Sequence, residues 1–264
     1  MAGSSGGGGG GVRHDRMFLS LNKSLANTAN IDIDPTATVT SAGAMAATAD
    51  PHPDWQLGAD LPLMDEWSMW EQLQTAGQQP GSRGDNYDNQ TNKFATFRTV
   101  QHFWRLMEHL PQPSHLVEGK KMVRERADGV HTVDAIMLFK SPIRPKWEDP
   151  KNADGGHFQF QIRPRECEPA QIDEYWNNLV LGVVGATIEP HDIITGLRMV
   201  DKLQASRTPA AATIRLEVWF TQCDAERRDT LRRNVERCIA TGLDNTMYQP
   251  PRSEHKVHSK QVKH

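Results

Sequence analysis

Thr213-Ile214-Arg215-Leu216-Glu217-Val218-Trp219-Phe220 alternates between apolar and polar side chains. In a strand, successive side chains point to opposite faces. Ile214, Leu216, Val218 and Phe220 therefore share one face, and Arg215, Glu217 and Trp219 share the other. Trp219 points away from the main core, beside a basic side chain. His157-Phe158-Gln159-Phe160-Gln161-Ile162 repeats the alternation.

Three helices stand out by periodicity. The first spans about 99–110, with Val100, Phe103, Trp104 and Met107 on one stripe, and Pro111 stops it. The second starts near Pro169, a favourable first-turn residue, buries Ile172, Tyr175, Trp176, Leu179 and Val183, and ends at Gly185. In the third, Asp224 is the N-cap, Leu231, Val235, Cys238 and Ile239 form the stripe, and Gly242 closes the C-terminal end. A half-buried sheet with helices on one face and an aromatic, charged opposite face is an α+β layer. No internal repeat is present.

Composition sets the outer limits. Seven of the first eleven residues are Gly, and Ala, Thr, Ser and Asn dominate up to residue 50. Such a segment cannot bury enough apolar surface to offset its ordering entropy. Residues 1–58 are therefore expected to be a disordered extension, 59–250 one folded domain, and 251–264 a flexible, polar tail. A net charge of −3 argues against binding long RNA through its backbone alone, so any RNA contact must be local. No apolar run approaches the ~18 residues of a membrane span, and no secretory signal opens the chain. Cys167, Cys223 and Cys238 are odd in number and lack metal-ligand spacing, which fits a reducing compartment. The histidines at 255, 258 and 264 lie on the tail, where no second shell would support a metal.

A second stretch carries the chemistry: Ile143-Arg144-Pro145-Lys146-Trp147-Glu148-Asp149, followed by Gly155-Gly156. Pro142 and Pro145 make it a loop. A loop Trp is ordinarily a partly buried anchor. With an adjacent carboxylate it can also stack on a flat cationic heterocycle whose N–H edge the carboxylate accepts from. Methylated guanine has both properties. The chain holds 7 Trp against 3 Tyr. Trp67-Ser68-Met69-Trp70, Thr99-Val100-Gln101-His102-Phe103-Trp104, the Trp147 loop, Glu174-Tyr175-Trp176 and Val218-Trp219-Phe220 follow in that order. This order and spacing resembles the mRNA cap-binding translation initiation factor 4E family over roughly residues 60–250.

The resemblance implies a curved antiparallel β-sheet with three helices packed on its convex face. It also implies a ligand, the 7-methylguanosine triphosphate cap of mRNA. By the resemblance Trp147 is one stacking wall, Glu148 accepts from the guanine N1–H and N2–H2 donors, and Trp219 packs near the methyl group. The second wall falls on Tyr87, ten residues before Phe97, where the family has Trp; the plainer reading is an exposed loop Tyr. Arg215 and Lys202 align with phosphate-binding positions, and Arg207 is a further candidate in an inserted segment, about 203–212. Each is equally readable as a solvated surface charge. His157 stands where the family often has Arg. A second insertion, about 111–132 with Lys120, Lys121, Arg124 and Arg126, reads as a solvated loop in preference to the alternative of an RNA-facing arm.

The partner surface implied by the resemblance is the helix side, where Val100, Trp104 and Leu181 match the docking site for a scaffold factor of the 4G type or a 4E-binding regulatory protein. Asn177 and Asn178 depart from the family's apolar and acidic residues there. The implied function is cap recognition in translation initiation in the cytoplasm, with the nucleus as a second location. The alternatives are a cap-binding translational repressor and an interaction module with weakened cap binding. An enzymatic reading finds no Gly-rich phosphate loop, no His/Asp/Cys constellation and no metal-binding carboxylate cluster, and no cofactor is implied.

Overall fold

The computed structural model describes residues 18–20, 60–74, 90–203, 211–242 and 244–260. Nine strands occur among them: β1 (Phe18–Ser20), β2 (Pro62–Leu73), β3 (Thr91–Thr99), β4 (Lys121–Arg126), β5 (Gly129–Lys140), β6 (Gly156–Ile162), β7 (Ile194–Asp201), β8 (Ile214–Phe220) and β9 (Ser253–Val257). The helices are α1 (Val100–Met107), the short α2 (Pro113–Val117), α3 (Pro169–Val184) and α4 (Ala225–Ala240).

The sheet runs β3-β2-β5-β7-β8-β6-β9, antiparallel throughout. β4 pairs with the first part of β5, and β1 joins β4 in parallel. The sheet is curved, with its main helices on one face. The apolar faces of β6 and β8 (Phe158, Phe160, Ile214, Leu216, Val218) bury against Ile172, Trp176, Leu179 and Val183 of α3 and Leu231 and Val235 of α4. A second, smaller cluster lies on the opposite, concave face: Ala135, Met137, Phe139, Val200 and Trp219, flanked by Trp70, Ile143 and Trp147.

The helix ends follow their sequence signals. The Thr99 hydroxyl accepts from the His102 N–H, and the Asp224 carboxylate accepts from the Arg227 N–H, so each caps its helix. Pro169 opens α3 and Gly185 closes it. α1 ends at Met107, short of the expected Leu110.

Three expectations are corrected. Residues 111–132 are not a solvated loop but α2 and the β4–β5 hairpin. Met122 and Val123 are buried, and the Arg124 guanidinium meets the buried Glu71 carboxylate at 2.6–3.0 Å. The segment expected as a flexible tail carries β9, and His258 beyond it is fully buried. β9 is held by backbone hydrogen bonds to β6, which need no apolar pattern, so its polar sequence gave no warning. Within the expected N-terminal extension, residues 18–20 run as a strand beside β4.

Candidate nucleotide-binding site

The antiparallel registers bring the polar residues of several strands into rows on the concave face. One row is Lys256, His157, Trp219, Gly196 and Phe139; the next is Glu254, Gln159, Glu217, Arg198 and Met137; a third holds Gln161, Arg215, Val200 and Ala135. The face thus grades from charged at the β9 edge to apolar at β5. Gly196 is required in the first row, since a Cβ there would lie 2.5 Å from the Phe139 ring. Its absence lets Trp219 meet Phe139 edge-on at 5.4 Å.

A cavity of about 500 Å3 opens on this face, lined by Trp147, His157, Arg198, Arg215, Glu217, Trp219 and residues of the β6 and β9 edge. Trp219 is its floor and is only 1 % exposed. His157 stacks parallel to it at 5.4 Å, His258 lies 4.4 Å from its centroid, and its indole N–H donates to Glu217 Oε2 at 2.8 Å. The two imidazoles thus cover Trp219, which presents no open ring face to the cavity.

The Trp147 loop is held from within. The Asp149 carboxylate accepts from the Arg144 and Lys151 N–H groups, each at 2.9 Å. The buried Asn152 amide donates to the carbonyls of Arg144 (2.9 Å) and Lys146 (3.0 Å). Glu148 takes no part in these bonds and is exposed, while Trp147 leans half-buried on the concave cluster. The Gly155-Gly156 pair has a steric role: a Cβ on Gly155 would collide with the Phe220 carbonyl, and one on Gly156 with the Lys256 carbonyl at 2.6 Å. β6 can lie between β8 and β9 at this point only without side chains.

Arg215 borders the cavity, its Nε 2.8 Å from Glu217 Oε1. Arg198, which sequence reasoning missed, lies 3.7 Å from Glu217 and also donates to Gln72 Oε1. Burial alone would raise the Glu217 carboxyl; Arg198, His157, Arg215 and the Trp219 N–H outweigh it and hold the group below the usual carboxylate range. Burial pushes His157 down to about 4, against the pull of Glu217, and lowers His258 as well. Lys202 sits at the end of β7, outside the cavity lining. Its ammonium is lowered by burial and by the neighbouring Arg215 charge. Tyr87 and Arg207 lie outside the described residues.

On the helix side, Trp104 is 49 % and Leu181 39 % exposed. They border a groove of about 450 Å3 together with Phe103, Met107 and Val180. Val100 is half-buried on the same helix as Trp104 but does not line the groove. Asn177 donates to Gln112 Oε1 at 3.1 Å and Asn178 to the Thr241 carbonyl at 2.7 Å. The two amides thus tie α3 to its neighbours.

The family model for eukaryotic initiation factor 4E matches residues 62–264. The chain belongs to the initiation factor 4E family. The factor 4E of Candida glabrata is 25 % identical over 193 residues, covering 73 % of this chain and 78 % of that protein. Among solved structures, C. elegans eIF4E-3 in complex with the 4E-binding protein Mextli superposes with a TM-score of 0.56 at 17 % identity, over 78 % of this chain and 97 % of that one. Schistosome eIF4E complexed with m7GpppG and 4E-BP gives 0.54 at 22 %, over 78 % and 92 %. Both structural likenesses establish a factor 4E fold. Of the residues that sequence reasoning missed, Arg198 joins the site through the β7–β8 register and His258 through β9, while Asn152 acts within the Trp147 loop by side-chain bonds to the carbonyls of Arg144 and Lys146, which no residue pattern marks.

Proposed function

We propose that this chain binds the 7-methylguanosine 5' cap of mRNA and acts in cytoplasmic translation initiation through a protein partner on its helix face. The observation that carries this reading is the concave cavity, with Trp147 on its wall, Trp219 in its floor and Arg215 beside them. The exposed Glu148 next to Trp147 is the acceptor for the guanine edge, and stacking of the cationic ring on Trp147 adds up to ~2 kcal/mol when desolvated. Arg215 and Lys202 serve the phosphates by charge. Tyr87 closes the sandwich as a second wall, and Arg207 is a further phosphate contact. The schistosome relative complexed with m7GpppG and 4E-BP, and the nematode one complexed with Mextli, support a cap ligand and a 4E-binding protein partner. Trp104 and Leu181 are exposed apolar groups suited to an amphipathic partner helix.

Retention on an immobilised cap analogue tests the reading. Methylated GTP should elute the chain and unmethylated GTP should not, because only the former carries the ring charge. Equal elution by the two nucleotides would refute it. Tyr87→Ala should lower cap affinity several-fold, and Tyr87→Trp should hold or improve it. Wild-type affinity in Tyr87→Ala would leave Trp147 as a single-sided platform.

A further inference from the structure

β9 does more than lengthen the sheet. It places Lys256 opposite His157 and Glu254 opposite Gln159, and both border the cavity. Immediately beyond it, the His258 N–H donates to the Gly155 carbonyl at 3.1 Å. The His258 ring is fully buried, with Nδ1 2.7 Å from the Asn152 carbonyl oxygen and Nε2 2.9 Å from His157 Nδ1. A carbonyl oxygen can only accept, so His258 Nδ1 carries the proton. In the neutral ring Nε2 is then an acceptor, and His157 Nδ1–H must donate to it. Asn152 continues the chain of bonds, since its side chain holds the carbonyls of Arg144 and Lys146, the second of them adjacent to Trp147. One imidazole thus joins the loop bearing the stacking ring to the platform formed by His157 and Trp219.

We propose that His258 is a positioning residue of the nucleotide site: through Asn152 it fixes the 144–152 loop, and with it Trp147, against the Trp219 platform, so that the C-terminal strand completes the pocket. The proposal rests on the cap-binding reading. A stacking wall set loosely relative to its partner groups wastes binding energy on ordering, and a fixed one does not.

The test uses the full chain with His258→Ala, His258→Asn and His258→Gln. Affinity for methylated GTP is read by tryptophan fluorescence, and loop order by amide hydrogen exchange over 144–155. Alanine removes the tie and should weaken binding about tenfold, the scale of one lost buried hydrogen bond, while accelerating exchange in the loop. Asparagine presents an N–H donor near the Nδ1 position, keeps the bond to the Asn152 carbonyl, and should recover most of both. Glutamine reaches instead towards His157 and should behave like alanine. His258→Ala binding and exchanging like wild type, or His258→Asn doing no better than His258→Gln, would overturn the proposal. The asparagine–glutamine comparison carries the test if alanine prevents folding. Should wild type itself not bind methylated GTP, the cap reading fails, and loop exchange alone decides whether His258 holds the loop.

Discussion

Glu148 and Asp149 are neighbours with the same chemistry and different tasks. Asp149 is used by the loop itself, accepting two backbone N–H groups, whereas Glu148 is exposed and uncommitted to the loop. Glu148→Gln should therefore weaken cap binding by about tenfold, the size of a charge-assisted hydrogen bond, with an unchanged melting temperature. Asp149→Ala should lower both, since it releases the backbone turn. Cap-analogue titration beside thermal melts separates the two, and equal effects would refute the division of labour. Arg215 is the next residue to probe. Its Ala variant should flatten the rise in affinity from mono- to triphosphate and reduce the salt dependence, and an unaltered preference would remove it from the phosphate site. Sequence parity alone put Arg215 and Trp219 on one face. The sharing of Glu217 between Arg215 and Arg198 was not legible, because Arg198 and Glu217 meet only through the β7–β8 register.

Elements were legible where local chemistry writes their limits. α4 is the clearest: Asp224 accepts from the Arg227 N–H at 2.8 Å, and Leu231, Val235 and Ile239 bury one stripe. Asp224→Ala should cost about 1 kcal/mol, which for a domain of this size lowers the melting temperature by roughly 2–4 °C; a melt identical to wild type would show that the cap is dispensable. β4 and β9 escaped because their stabilisation is not written as an apolar period. β4 is fixed by a buried ion pair to Glu71, fifty-three positions from Arg124, and β9 by a polar edge pairing to β6. A sequence of polar residues beside a terminus carries the composition of a mobile tail whether or not a free sheet edge is waiting for it.

At the scale of the whole molecule, the sheet separates, among the described residues, two apolar clusters and two surfaces. Trp104 and Leu181 stand on the helix side, and Trp147 and the cavity on the concave side. Trp104→Ala should weaken binding of an amphipathic partner helix while leaving cap affinity unchanged; a matching loss of cap affinity would mean that the faces are coupled. Protonation acts on the concave side. His157 and His258 are buried as neutral rings among Trp219, Glu217, Arg198 and Arg215, and both are harder to protonate than in the unfolded chain. The unfolded chain binds more protons below its histidine value near 6.5, so stability must fall as pH drops through that value and continue falling towards about 4, where His157 itself takes a proton. A shift of that size corresponds to roughly 2–3 kcal/mol across the window, less if the two rings share one proton. Glu217 contributes with the opposite assignment of charge but the same outcome: its lowered carboxyl stabilises the fold above the ordinary Glu value, and that contribution is lost only at lower pH, as it protonates. Urea unfolding at pH 7, 6, 5 and 4.5 should show the midpoint falling most steeply below pH 6.5, and His157→Gln should reduce that slope even if it is less stable at neutral pH. An equal slope in the variant would locate the acid sensitivity elsewhere in the chain.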